Sequence, residues 1–175
     1  TMDAGEEVVP VSVNFSRRHN EEADFVYHVV ERLKAYDIPP QYLEAELTES
    51  IFMLDFDTLT QNIRKLKENG ISISIDDFGS GYSSLNVLAN VEADIIKLDR
   101  FFLNYAEEDD KTMTFIKYLV KMMKHMGYKV LAEGVETEEQ IQLLNSVECD
   151  MVQGFYYARP MPIEKFREYL KEFNK

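Results

Sequence analysis

The segment "SIDDFGSGYSSL", residues 74–85, sets Asp76 beside Asp77 where an apolar, β-like run gives way to a loop rich in glycine and serine. Crowded carboxylates without a counter-charge would be driven to take up protons, so the pair calls for a cation. Carboxylate oxygens suit hard divalent ions, and two such ions about 4 Å apart can hold a phosphodiester while activating a water. Asp76 is placed to bridge two ions. Polar residues recur in comparable places: Asn14 in "VVPVSVNF", Glu46 in "YLEAEL", Lys97 in "DIIKLD", Glu133 in "YKVLAE" and Gln153 in "DMVQGFYY". Asn14 and Glu46 would add oxygen ligands. Glu133 would act as general base or as a further ligand, and Lys97 would hold the water or stabilise developing negative charge. Gln153 suits hydrogen bonding to substrate. Gly79 and Gly81 supply tight turns, and hydroxyls such as that of Ser80 could bridge to Glu49, making residues 76–85 a candidate lid. A single acid at a strand end is more often a helix cap than a ligand. Polar residues at six successive strand ends are not explained that way, because a cap belongs one or two positions later.

These residues need elements to position them. Runs at 8–15, 42–47, 71–75, 94–99, 128–133 and 150–157 read as six strands. Between them, Val26, Val29, Val30 and Leu33 share one helical face, ended by Pro39-Pro40; Leu59, Ile63 and Leu66 share another, ended by Gly70. Ile116, Leu119, Val120 and Met123 mark a third helix that stops at Gly127, "TEEQ" at 137–140 has the spacing of a capping box, and a last helix covers about 163–173. Alternating strands and helices predict a parallel α/β architecture. An open sheet gathers ligands mainly at its switch point, whereas a barrel brings every strand end to one mouth, so the polar residues favour a barrel. A (β/α)8 barrel takes eight strands in roughly 250 residues; this chain offers six β/α units in 175. The shortfall is expected to lie before residue 1.

Composition narrows the function. A formal net charge of −13 argues against duplex nucleic acid as partner. One cysteine, Cys149, excludes an internal disulfide, and His19, His28 and His125 form no metal-binding pair. The first ten residues carry no basic, apolar leader pattern, and nothing approaches 18 apolar residues in a row, so a cytoplasmic chain without membrane contact is expected.

The chain resembles the EAL domain family of cyclic di-GMP phosphodiesterases. "VSVNFS", "LEAELTES", "SIDDFGSGYSSL", "IIKLDRFF", "LAEGVETEEQ" and "QGFYYARPMP" follow that family's motifs in order from about residue 8 to the end. The resemblance implies a TIM-type (β/α)8 barrel lacking its first two strands, residues 1–175 being a single, N-terminally truncated EAL domain. It implies hydrolysis of cyclic di-GMP to 5′-pGpG with two Mg2+ or Mn2+ ions. Asn14, Glu46 and Asp76 would bind the first metal, and Asp76 and Asp77 the second. Glu133 would be the base or a second-metal ligand, and Lys97 would order the water. Glu49 would anchor the loop containing Gly79, Ser80 and Gly81, which couples the site to a homodimer; Gln153 and Glu136 would lie by the substrate or anchor loops. Ser80 stands where Thr is usual. No Glu-Ala-Leu tripeptide occurs in the chain, and with it a first-metal Glu and a substrate-holding Arg are missing. Impaired turnover is therefore expected, in a piece of a longer protein with an upstream cyclase or sensor domain. The alternative is a non-catalytic module that binds cyclic di-GMP or a protein.

Overall fold

The computed structural model describes residues 8–16, 19, 22, 24–48, 51, 56–79, 85–106 and 110–173. Glu49, Ser80 and Gly81 lie outside them.

Six parallel strands, β1 (Val11–Asn14), β2 (Leu43–Thr48), β3 (Ser72–Phe78), β4 (Ile95–Leu98), β5 (Lys129–Ala132) and β6 (Met151–Val152), pair strictly in chain order. The helices are α1 (Phe25–Ala35), α2 (Phe56–Glu68), α3 (Leu85–Asn90), α4 (Phe101–Ala106), α5 (Asp110–His125), α6 (Glu138–Ser146) and α7 (Ile163–Phe173). The sheet curls into a half-barrel, as expected for a barrel lacking two strands. No helix among the described residues is long and apolar enough to cross a membrane.

Side chains alternate across each strand. Ala45 and Leu47, Ile73 and Ile75, Ile96 and Leu98, and Val130 join the main core, which Leu59, Ile63, Leu66, Ile116, Val120 and Met123 complete from α2 and α5. The helical faces expected from spacing are the ones buried, with Val26, Val29 and Val30 packed against the same core. The intervening strand residues face the other way, into the curled sheet's concave side.

Helices α1, α2, α5 and α6 end in one kind of turn. The N–H five residues beyond an apolar helix residue donates back to that residue's carbonyl: Ile38 to Leu33 (2.9 Å), Ile71 to Leu66 (3.2 Å), Tyr128 to Met123 (3.1 Å) and Cys149 to Leu144 (3.0 Å). The left-handed position is Gly70 in α2 and Gly127 in α5, but Asp37 (φ 50°) in α1 and Glu148 (φ 58°) in α6. Thus α1 ends at Ala35, its closing turn completed by Asp37 before Pro39-Pro40, and Pro40 instead starts a 3-10 turn, Pro40–Tyr42. The capping box forms as expected, Thr137 accepting from the Gln140 N–H.

A second repeated device fixes the strand starts. Asp94 accepts from the Ile73 N–H (2.9 Å) and pairs with Lys67 (2.7 Å); Asp150 accepts from the Val130 N–H (2.9 Å) and pairs with Lys124 (2.9 Å). Each carboxylate, placed just before one strand, holds the entry of the preceding strand and the helix that leads into that preceding strand.

Three element readings need correction. The strand expected at 150–157 is only Met151–Val152, because residues 154–157 form a turn. Strand β3 runs three residues further than 71–75 and carries Asp76 and Asp77 inside it. Helices α3 and α4, six residues each, escaped the periodicity because they are too short to show it.

Candidate functional site

Four adjacent strands deliver the centre. The register pairs Asn14 with Glu46, Thr48 with Asp76, and Lys97 with Leu131, so the polar positions rise to the C-terminal rim. There Lys97 Nζ lies 2.7 Å from Glu133 Oε1, 2.9 Å from Glu46 Oε1 and 3.2 Å from Asp76 Oδ1. Lys97 and Glu46 are buried. One ammonium thus holds three carboxylates from three other strands.

Asp77 reaches the same place by a departure from regular pairing. Successive strand residues point to opposite faces, so Asp77 in an unbroken strand would turn away from Asp76. Between Ile75 and Phe78 the β3/β4 register shifts by one residue, and Asp77 takes φ 53°, a left-handed conformation uncommon outside glycine. As a result, ligand oxygens of Asp76, Asp77 and Glu133 all lie within 4.8 Å of one another. Gly79 (φ 95°) follows at once, and a Cβ there would come within 2.1 Å of the Phe102 ring.

The protonation balance follows from this crowding. Burial pushes the Glu46 and Glu133 carboxyls above the usual range, against the pull of Lys97. Burial also opposes Asp76 ionisation, but hydrogen bonds from Glu46 and the Lys97 charge outweigh it and hold Asp76 low. Asp77 is raised by burial and by the charges of Asp76 and Asp99. Burial works against the Lys97 charge, yet Glu133 and Glu46 keep its pKa above the usual lysine value. Four acids around one cation leave excess negative charge, and their oxygens are the donors Mg2+ or Mn2+ takes. Ser74 Oγ, fully buried two residues before Asp76, has no partner among the described residues. The donor set fits a divalent metal.

The remaining expected residues lie around this centre. Asn14 is exposed beside Glu46 in the register. Gln153 donates its N–H to Ala132 O (2.8 Å), and its carbonyl accepts from Val135 (3.1 Å). Gln153 lines a cavity of about 290 Å³ together with Glu133, Glu136 and Phe155. The Glu136 N–H donates to Gln140 Oε1 (2.7 Å). Asp99 and Arg100 line the same cavity. Arg100 and Phe155 went unread; their only sequence signal was position, directly after "KLD" and "QG".

Comparison with known proteins settles the family. The EAL domain family model matches residues 1–160. The chain belongs to the EAL domain family. It is 37% identical over 164 residues to the Pseudomonas aeruginosa bifunctional diguanylate cyclase/cyclic di-GMP phosphodiesterase MucR, covering 94% of this chain and 24% of that protein. With the cyclic di-GMP phosphodiesterase NbdA of the same organism it shares 35% identity over 170 residues, 97% of this chain and 22% of the relative. This EAL chain therefore spans about a quarter or less of those proteins. Among solved structures, the PaMucR phosphodiesterase in complex with c-di-GMP superposes with a TM-score of 0.85 at 36% identity, covering 94% of this chain and 67% of that one. Klebsiella pneumoniae BlrP1 in a manganese/cy-diGMP complex gives 0.81 at 29% identity, covering 91% and 40%. The EAL fold accounts for the half-barrel and for the rim that gathers the acids.

Proposed function

We propose that this EAL chain carries the catalytic face of a metal-dependent phosphodiesterase that opens cyclic di-GMP to 5′-pGpG. The observation that carries the reading is the convergence of Asp76, Asp77 and Glu133, with oxygens within 4.8 Å, beside Glu46 and Lys97. The names of the curated relatives and the nucleotide complexes of the structural neighbours support it. Asn14, Glu46 and Asp76 would hold one ion, and Asp76 with Asp77 a second, Mg2+ or Mn2+. Such ions, when bound, would supply the positive charge that offsets the phosphodiester and favours deprotonation of a water. Glu133, its carboxyl raised by burial, takes the water's proton at a carboxylate oxygen. Lys97 keeps the carboxylates together and orders that water. Gln153 and Glu136 would face the substrate and Gly79 would turn the loop after β3; the anchoring expected of Glu49, Ser80 and Gly81 falls outside the described residues.

Turnover by these 175 residues alone is expected to be weak, since no Glu-Ala-Leu tripeptide supplies a fourth ligand to the first ion. A second reading, binding without turnover, is favoured by the triple ion pair of Lys97, which already neutralises part of the acid cluster. A homodimer, an upstream cyclase or sensor domain and a cytoplasmic location belong to the same proposal, the bifunctional name of one relative supporting the upstream domain.

The test is chromatography for 5′-pGpG after incubation of cyclic di-GMP with Mn2+ or Mg2+. Little product from this chain, with product from a version extended to include a Glu-Ala-Leu segment, is the expected result. Absence of product from both would leave binding alone.

A further inference from the structure

We propose that Ser74 is a positioning residue of the metal-loaded centre, its hydroxyl bridging Lys97 and Glu46 once a divalent cation draws on the Glu46 and Asp76 oxygens. The inference rests on the metal-dependent reading and adds to it a residue that is not itself a ligand.

Ser74 lies in the floor of the acid cluster. It stands two positions before Asp76 on β3, so both face the concave side. The register sets it opposite Glu46 on β2 and opposite Ile95 on β4, two residues before Lys97. Neighbouring strands are about 4.8 Å apart, so a small movement of the Glu46 carboxylate or the flexible Lys97 side chain brings either to the hydroxyl. Glu46, Ser74 and Lys97 are all buried, and among the described residues Ser74 Oγ is the single buried side-chain polar atom without a hydrogen-bond partner. An unbonded buried hydroxyl destabilises the fold, and alanine would fill the same space without that cost. A second state in which the hydroxyl is bonded accounts for it.

The charges indicate that state. An ammonium has three N–H donors; those of Lys97 meet Glu133 (2.7 Å), Glu46 (2.9 Å) and Asp76 (3.2 Å). With every donor engaged, none is left for Ser74. A divalent cation on Glu46 and Asp76 competes for the same oxygens and repels the ammonium. Lys97 then has N–H donors to place, in a buried site where an uncompensated charge is costly. A hydroxyl is acceptor and donor at once. Ser74 accepts from Lys97 and donates to a Glu46 oxygen, and so orients that carboxylate toward the ion.

The test is calorimetric titration of the chain with Mn2+, together with thermal melts in EDTA and in Mn2+. Ser74→Ala is expected to melt about 3 °C higher in EDTA, because the unbonded hydroxyl is gone, yet to bind Mn2+ about tenfold more weakly. Ser74→Cys, which keeps the volume but hydrogen-bonds weakly, should follow Ser74→Ala in Mn2+ affinity. A merely structural serine would shift both melting temperatures together and leave the affinity alone. Wild-type Mn2+ affinity in Ser74→Ala or in Ser74→Cys would overturn this inference and leave the metal-dependent reading standing. A wild-type chain that binds no Mn2+ would overturn both.

Discussion

Lys97 Nζ sits 2.7 Å from Glu133 Oε1, joining the ends of β4 and β5, and the same ammonium also touches Glu46 and Asp76. A buried charge shared among three acids is costly to delete, because each acid is left without its counter-ion. Lys97→Met is therefore expected to lose about 3 kcal/mol of stability in EDTA. The loss should grow as pH rises: with the cation gone the acids' folded pKa values lie above their unfolded ones, so the folded state binds more protons and stability falls as they ionise. Millimolar Mn2+ should offset much of it. Thermal melts across pH, with and without Mn2+, measure both effects; a pH-independent deficit that Mn2+ leaves unchanged would contradict the role given to Lys97.

Asp77 occupies a backbone conformation suited to glycine, at the register shift that aims its carboxylate at Asp76. Strain kept at such a place is consistent with function. Asp77→Gly should raise the melting temperature of the metal-free chain and abolish most of the additional stabilisation by Mn2+. Retention of the full Mn2+ shift would remove Asp77 from the ligand set.

Glu148 ends α6 in the same left-handed conformation that Gly127 adopts at the end of α5. Relief of the Cβ clash there is expected to make Glu148→Gly about 1 kcal/mol more stable. The Lys124 contact to the Glu148 carbonyl, 2.6 Å, involves backbone and survives the change. Denaturant titration reads the gain directly.

Asp150 is pushed up by burial but pulled further down by the Val130 N–H and by Lys124, so its folded pKa lies below its ordinary value. A depressed carboxylate stabilises the fold above its unfolded pKa, about 3.9, and that contribution disappears as pH falls through the folded value. Asp150→Asn should therefore be less stable at neutral pH and lose less between about pH 4 and pH 2. Parallel acid melts of the two proteins would show equal slopes if the carboxylate did not act this way.

Much of this protein was legible before any fold was drawn. The spacing of Leu59, Ile63 and Leu66, or of Ile116, Val120 and Met123, is a local signal, and those side chains are the buried ones. Glycine at 70 and 127 marked two helix ends because a left-handed residue is easiest without a Cβ. Asp37 and Glu148 do the same with side chains that give no such sign. Polar types at six strand ends indicated a rim of acids, since alternation along a strand is a property of the strand itself.

What only the tertiary structure decided depends on neighbours. Whether Asp77 joins Asp76 or turns away is set by a one-residue shift against β4, information absent from residues 72–78 alone. That Lys97 is held by Glu46, Asp76 and Glu133 together follows from the parallel order of four strands. Arg100 and Phe155 come to one cavity from loops 55 positions apart, brought there by the close backbone approach at Gly134 and Gly154. Residue type is written in the chain, but the distance between two charges is fixed only by the register and packing of the strands that carry them.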